Sequence, residues 1–140
     1  MVKVTPTTEK EVEEFNLREW AKVDQEKYGQ DVEWREKYVV LKAEENGEIA
    51  GSLKMKIEAG VADLQVVIVA EGKRGKGVGR ALMEEAEKIA KEEGCHNIDL
   101  VTGKHWSAVK FYQSLGYKLT AQIPYYYNKK DFVEFNKYIG

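Results

Sequence analysis

The stretch EGKRGKGVGRALMEEAEKIAKEEG, residues 71–94, sets Gly75, Gly77 and Gly79 among Lys73, Arg74, Lys76 and Arg80, then runs unbroken into a charged helical pattern. Glycines let a backbone turn sharply and approach a ligand with no Cβ in the way. A helix N-terminus just beyond supplies unpaired N–H groups and the positive end of a dipole. Together these features bind phosphate. The competing reading is a tight strand-to-helix turn carrying solvated charges. Two common phosphate patterns fail on the letters. A P-loop needs Lys and then Ser or Thr after its last glycine, whereas Gly77 is followed by Val78 and Gly79. A dinucleotide fingerprint needs G-x-G-x-x-G, and position 80 is Arg.

A second segment, HWSAVKFYQSLGYK, begins at His105 and carries Ala108, Phe111, Tyr112, Gly116 and Tyr117. It resembles the pattern N-x-x-A-x-x-F-Y-x-x-x-G-F of the GNAT family of N-acetyltransferases. Arg74 to Gly79, R-G-K-G-V-G behind a hydrophobic strand, resembles the R/Q-x-x-G-x-G/A motif of the same family. The resemblance extends over nearly the whole chain and is strongest from about Val61 to Tyr117. It implies the GNAT fold: an α/β (α+β) domain with a mixed, mostly antiparallel sheet, a splayed parallel strand pair and helices on both faces. It also implies acetyl-CoA-dependent transfer to a primary amine, with acetyl-CoA as co-substrate and no metal.

Residue roles follow from the same resemblance. Arg74, Gly75, Lys76, Gly77, Val78, Gly79 and Arg80 would hold the pyrophosphate of coenzyme A. Val67 would turn its backbone to the thioester carbonyl and Val69 to the pantetheine arm, with Ala108, Phe111 and Tyr112 alongside. His105 stands where the family has Asn. Its imidazole supplies a similar hydrogen bond in the right tautomer, or it is a solvent-facing residue at a helix start.

Acetyl transfer needs a neutral amine, a place for charge on the carbonyl oxygen and a proton for the departing thiolate. Tyr112 matches the family tyrosine that donates this proton; taken alone it reads rather as a core aromatic beside Phe111 and Leu115. Asp63 lies four residues before Val67, where some family members carry the base, and Asp63, Gln65 and Val67 would share one strand face. Glu58, Glu71 and a chain of waters compete for that role, and Asp63 also reads as a strand-edge residue. The acidic stretches EKEVEEF and DQEKYGQD fall where the family shapes its acceptor site, favouring a cationic acceptor, or they are solvated faces. The alternative function is a module that binds acetyl-CoA or coenzyme A as a sensor or structural ligand without catalysis.

The elements that must position these residues are legible in part. Val2–Thr5 reads as a short strand. Thr8 to Glu11, TEKE, is a capping-box pattern opening a helix to about Lys22, and residues 24–37 read as irregular with room for a second short helix. Asn46-Gly47 predicts a two-residue hairpin. Behind it Ile49, Gly51, Leu53, Met55 and Ile57 alternate onto one face. Leu64 to Ala70 is apolar enough for a central strand covered on both sides. Val78, Leu82, Ala86, Ile89 and Ala90 form a helix stripe, with Glu84/Lys88 and Glu87/Lys91 as outer i,i+4 pairs and Gly94 as terminator. NIDLV is a strand, Ala108 to Leu115 a helix closed by Gly116, and the remainder two antiparallel strands. Tyr125 to Tyr127 lie where a GNAT hairpin often borders the acceptor pocket or a dimer contact, which leaves room for a homodimer; alternation would bury one or two of them.

The whole chain bounds the rest. Its 140 residues suit a single domain over 1–140, without repeat or linker. A net charge of -2 argues against a nucleic-acid partner. One cysteine, Cys95, excludes an internal disulfide, and with His96 it is too little for a metal site. The N-terminus lacks a signal or transit pattern and no segment suits a membrane, so a cytoplasmic location is expected.

Overall fold

In the computed structural model, which describes residues 1–140, Thr8 caps the first helix, α1 (Glu9–Tyr28): its Oγ1 accepts from the Glu11 N–H at 3.3 Å. The helix runs six residues past the expected Lys22, because nothing in the sequence stops it before Gly29, which takes the left-handed conformation (φ 71°) and donates to the Gln25 carbonyl. No second short helix forms between residues 24 and 37. Instead the Trp34 indole N–H donates to the buried Asp24 carboxylate at 2.9 Å, and Tyr28 meets the Trp34 ring edge-on, tying residues 29–34 to the helix end. Residues 1–8 form no strand, since no other strand offers their backbone a ladder. The chain separates into two compact units, 1–34 and 35–140.

The second unit holds a six-stranded sheet in the order β1-β2-β3-β4-β6-β5, with β1 Lys37–Glu45, β2 Glu48–Glu58, β3 Val61–Val69, β4 Asn97–Gly103, β5 Lys118–Ile123 and β6 Phe132–Tyr138. Only β3 and β4 run parallel. Asn46 and Gly47 both have positive φ and make the expected tight turn. A bulge opposite Ala43/Glu44 swings Ile49 outward (64% exposed) and puts Ala50 into the core in its place, so the alternation holds only from Gly51 to Ile57.

Helix α2 (Val78–Glu92) buries Leu82, Met83, Ala86 and Ala90 in one apolar cluster with Leu53, Met55 and Ile57 of β2 and Ala62 and Leu64 of β3. Helix α3 (Ala108–Ser114) adds Tyr112, and β4 and β6 add Ile98, Leu100, Val133 and Phe135. Each Leu, Ile, Val, Met or Phe side chain so withdrawn from water is worth about 1.5–3 kcal/mol, so this cluster is the main cohesive term of the unit. The Glu87–Lys91 pairing is replaced by a longer-range one: Glu87 accepts from Lys137 Nζ at 2.8 Å and from the Tyr117 hydroxyl at 3.0 Å, and Lys137 also donates to the Leu115 carbonyl. Glu87 is half-buried, so a fixed lysine from β6 is a better partner than a mobile one on its own helix.

The terminal strands stop at Pro124. Tyr125, Asn128 and Lys129 take positive φ, and all three tyrosines stay exposed in the loop rather than alternating into a strand. No helix is long and apolar enough to cross a membrane.

Gly51 has no room for a side chain. A Cβ there would stand 2.9 Å from the Ile68 carbonyl oxygen and 3.1 Å from Leu82 and Val78. Gly51→Ala should therefore destabilise the fold by about 1–3 kcal/mol, read as a lower thermal midpoint by calorimetry.

Candidate active site

β3 leaves its parallel partner early. The β3–β4 ladder runs only from Val61/Asn97 to Leu64/Leu100, while β2 follows β3 on to Val69. The backbone of the second half of β3 thus has no strand partner on its β4 side. The apolar run Val66 to Val69 was expected to be covered on both faces; instead Val66 and Ile68 are exposed, and Val67, Ile68 and Val69 line a cavity of about 550 Å³.

Lys73, Arg74, Gly75 and Gly77 line the same cavity from the loop after β3, followed by Val78, Gly79 and Arg80 from the first turn of α2. Gly75 (φ 76°) and Gly77 (φ 86°) occupy backbone conformations that L side chains rarely adopt. Gly77 caps α2 without a side chain, and that first turn contains no acidic residue, so its leading N–H groups and positive dipole end are not neutralised locally. Gly79 serves another purpose: a Cβ there would lie 3.1 Å from the Phe111 ring, so the bare glycine lets α2 start against α3.

The charges of the loop are partly engaged. Lys73 pairs with Glu45 at 2.7 Å, and its hydrogen bond and charge hold the Glu45 carboxyl below its usual range. Arg74 Nε donates to the Val69 carbonyl at 3.1 Å. Lys76 is exposed and does not line the cavity.

From α3 and the residue before it come Ser107, Ala108, Phe111 and Tyr112. Tyr112 is 7% exposed and packs against Phe111, Tyr117 and Phe135. It therefore fills both positions foreseen for it, core aromatic and cavity residue. Burial pushes its phenol up to about 12, so it stays protonated, and a potential donor, throughout the neutral range. His105 is exposed in the turn ahead of α3 and away from the cavity lining.

A bulge in β3 corrects one expectation. Lys54 pairs with Val66 but Met55 with Leu64, leaving Gln65 as the extra residue. Across antiparallel strands paired side chains share a face. Asp63 therefore sides with Lys56, and Val67 with the buried Leu53 on the opposite face. Asp63 and Val67 do not share a face, as strict alternation had suggested, and Asp63 is absent from the cavity lining. Ile68, on the Asp63 face, and Val67, on the other, both line the cavity, so its wall is formed by consecutive residues of β3 rather than by one face of it.

Sequence reasoning did not single out Ile68 or Ser107 and counted Lys73 only as local charge. Ile68 sits on β3 between Val67 and Val69, and Ser107 lies inside the second motif, so the residues around both carried the signal.

On the Asp63 face, Asp99 of β4 stands in register with Asp63, so the two carboxyls are neighbours on adjacent strands. Asp99 Oδ1 is out of contact with solvent and has no hydrogen-bond partner. Asn136, opposite it on β6, accepts from Asn97 and donates to Thr120. Burial first, then the Asp63 and Glu134 carboxylates, push the Asp99 carboxyl up to about 7, against the pull of Lys56.

The arrangement is a cleft for an extended, anionic ligand beside unpaired backbone amides and a protonated phenol. The chain matches the model of the acetyltransferase (GNAT) family across residues 7–117. The chain belongs to that family. Its chemistry is accordingly that of an N-acetyltransferase. Among relatives of this family member, the blasticidin-S acetyltransferase of Streptomyces morookaense is 37% identical over 92 residues, 65% of this chain and 67% of that one. The crystal structure of an acetyltransferase from Bacillus cereus superposes with a TM-score of 0.76 at 22% identity, over 99% of this chain and 98% of that one. A GNAT family acetyltransferase from Elizabethkingia anophelis, solved with acetyl-CoA bound, superposes with a TM-score of 0.67 at 17% identity, over 71% and 75% of the two chains. These structural likenesses establish the GNAT fold.

The Asp99 carboxyl binds its proton more tightly folded than unfolded. Its neutral form is favourable below the ordinary carboxylate range, and that contribution is lost as pH rises toward 7. Asp99→Asn keeps the neutral shape. In thermal scans it should melt a few degrees above the parent at pH 8, with the gap closing as pH falls toward about 4.

Proposed function

We propose that this GNAT protein transfers the acetyl group of acetyl-CoA to a primary amine, with the cofactor in the cavity between β3, the glycine-rich loop and α3. The observation that carries this reading is the convergence on one cavity of about 550 Å³ of the unpaired half of β3, the N-terminus of α2 with its glycine cap and no acidic first turn, and Tyr112. The fit is chemical. Backbone N–H groups and Arg74 and Arg80 suit a pyrophosphate, and the apolar wall of Val67, Val69, Ala108 and Phe111 suits a pantetheine arm. Acetyl-CoA supplies an activated acyl carbon; its carbon–sulfur bond is exchanged for carbon–nitrogen, and an ammonium acceptor releases one proton overall.

The residues divide the remaining work. Gly75, Gly77, Val78 and Gly79 bind through the main chain, and Lys76, though exposed, adds charge to the approach. The backbone at Val67 orients the carbonyl, and Tyr112 gives a proton to sulfur. Asp63 takes one from the acceptor through a water, from its place one residue before β3 and β4 part. His105, exposed at the turn, contributes at most to the cofactor's outer end. The acceptor is a cationic amine that enters from the Asp63 face, where Asp99 and Glu134 are also gathered.

Acetyl-CoA should raise the thermal midpoint, by the equivalent of about 2.7 kcal/mol at a hundred times Kd, and an unshifted midpoint would end this reading. The Arg74→Glu, Lys76→Glu double variant should raise that Kd at least tenfold by calorimetric titration. Tyr112→Phe should lower kcat by about ten- to a hundredfold with Kd for acetyl-CoA nearly unchanged, because a positioned acid assists a thiolate that is already a fair leaving group. The acceptor panel for these assays should span polyamines, lysine, peptide N-termini and blasticidin S, the last named by the relative.

A further inference from the structure

The parallel ladder between β3 and β4 ends one residue beyond the pair Asp63/Asp99, at Leu64/Leu100, and the gap opens from there. Two carboxyls thus face each other at the foot of the gap, one of them with an oxygen sealed from solvent and given no donor. A buried, unpaired carboxylate oxygen is costly unless a proton or a ligand completes it. The charged groups that bear on the pair come from every neighbouring element: Lys56 from β2, Glu134 from β6 and Tyr126 from the β5–β6 loop. With the pair itself they amount to one cation, Lys56, among three carboxyls, Asp63, Asp99 and Glu134.

We propose that Asp63 and Asp99 act as one proton-accepting unit, in which Asp63 meets the water that bridges to the acceptor ammonium and Asp99, the positioning residue beside it, shares the proton so taken. This rests on the acetyl-transfer reading for its kinetic consequence, though not for its titration. With both carboxyls ionised, the pair takes one proton from R–NH₃⁺ by way of a water, freeing the nitrogen lone pair for the acyl carbon. The proton is then held between the two carboxyls, where repulsion is relieved, and passes to solvent before the next turnover. No other reactant is needed. The bulge at Gln65 fits this division: it turns the Val67 side chain to the core face while Asp63 and Asp99 stay on the face from which the acceptor enters.

Two measurements test the unit. In the full chain labelled with ¹³C at the aspartate carboxyls, the pair should titrate in two well-separated steps felt at both residues, the upper near neutrality, and the upper step should vanish in Asp99→Asn. Two independent titrations in the ordinary carboxylate range would overturn the proposal. In acetyl transfer, the rising limb of kcat/KM with pH should move at least one unit lower in Asp99→Asn, with the rate at pH 8 falling about tenfold and KM for acetyl-CoA unchanged. A limb that stays in place would equally overturn it. If the parent chain acetylates no amine in the panel, the function proposed above fails, while the carboxyl titration still decides whether the pair is a unit.

Discussion

The short parallel ladder between β3 and β4 is the constraint on which the rest of the second unit depends. Four residue pairs hold the strands together, and beyond Leu64 and Leu100 they part. Were the ladder to continue, the backbone at Val67 would be spent on β4 and no cleft would exist. Two features keep it short. The extra residue at Gln65 shifts β3 relative to β2, and β4 is held from its other side along its whole length by β6, from Asn97/Tyr138 to Gly103/Phe132. β4 is therefore fixed by an antiparallel neighbour while β3 stays with β2, and the sheet opens along a line set by hydrogen bonding.

Helix α2 closes the open end, and its fit depends on absent atoms. Gly51 under it and Gly79 within it let its first turn sit against β3 and Phe111. The loop glycines do different work, supplying left-handed turns rather than close approach. Four glycines of one local region thus meet two separate requirements, one steric and one conformational. Behind the helix, the Glu87–Lys137–Tyr117 hydrogen bonds tie α2 to β6 and to the end of α3, so that the elements carrying the loop and Tyr112 share a support.

Much of this was legible in the residues. The Asn46-Gly47 turn, the α2 stripe, the Gly94 and Gly116 stops and the helix at Phe111 are local signals with a single physical meaning, and each was found at the expected place. Bulges were not legible. Ala50 and Gln65 each break an alternation without any special residue type, and each reverses the faces beyond it, which is why Ile49 and the Asp63/Val67 relation were misjudged. The apolar stretch Val66 to Val69 looked like buried core because a cavity wall and a core use the same side chains. The helix end at Tyr28 was missed because polarity after Lys22 resembles a loop when read without its capping glycine. In the site, the two motifs located the cavity, but Asp99 stands 36 positions from Asp63, and only the register discloses that the two are neighbours.

The Lys73–Glu45 pair gives the entrance a property of its own. An anion drawn to this loop meets an ammonium that already has a carboxylate beside it. Chloride or acetate, with one charge to offer, gains little by exchanging places with Glu45 in water. A group carrying several charges on adjacent oxygens can displace it and still engage the helix N-terminus. On the proposed function, that exchange would favour a pyrophosphate over a singly charged anion at this loop.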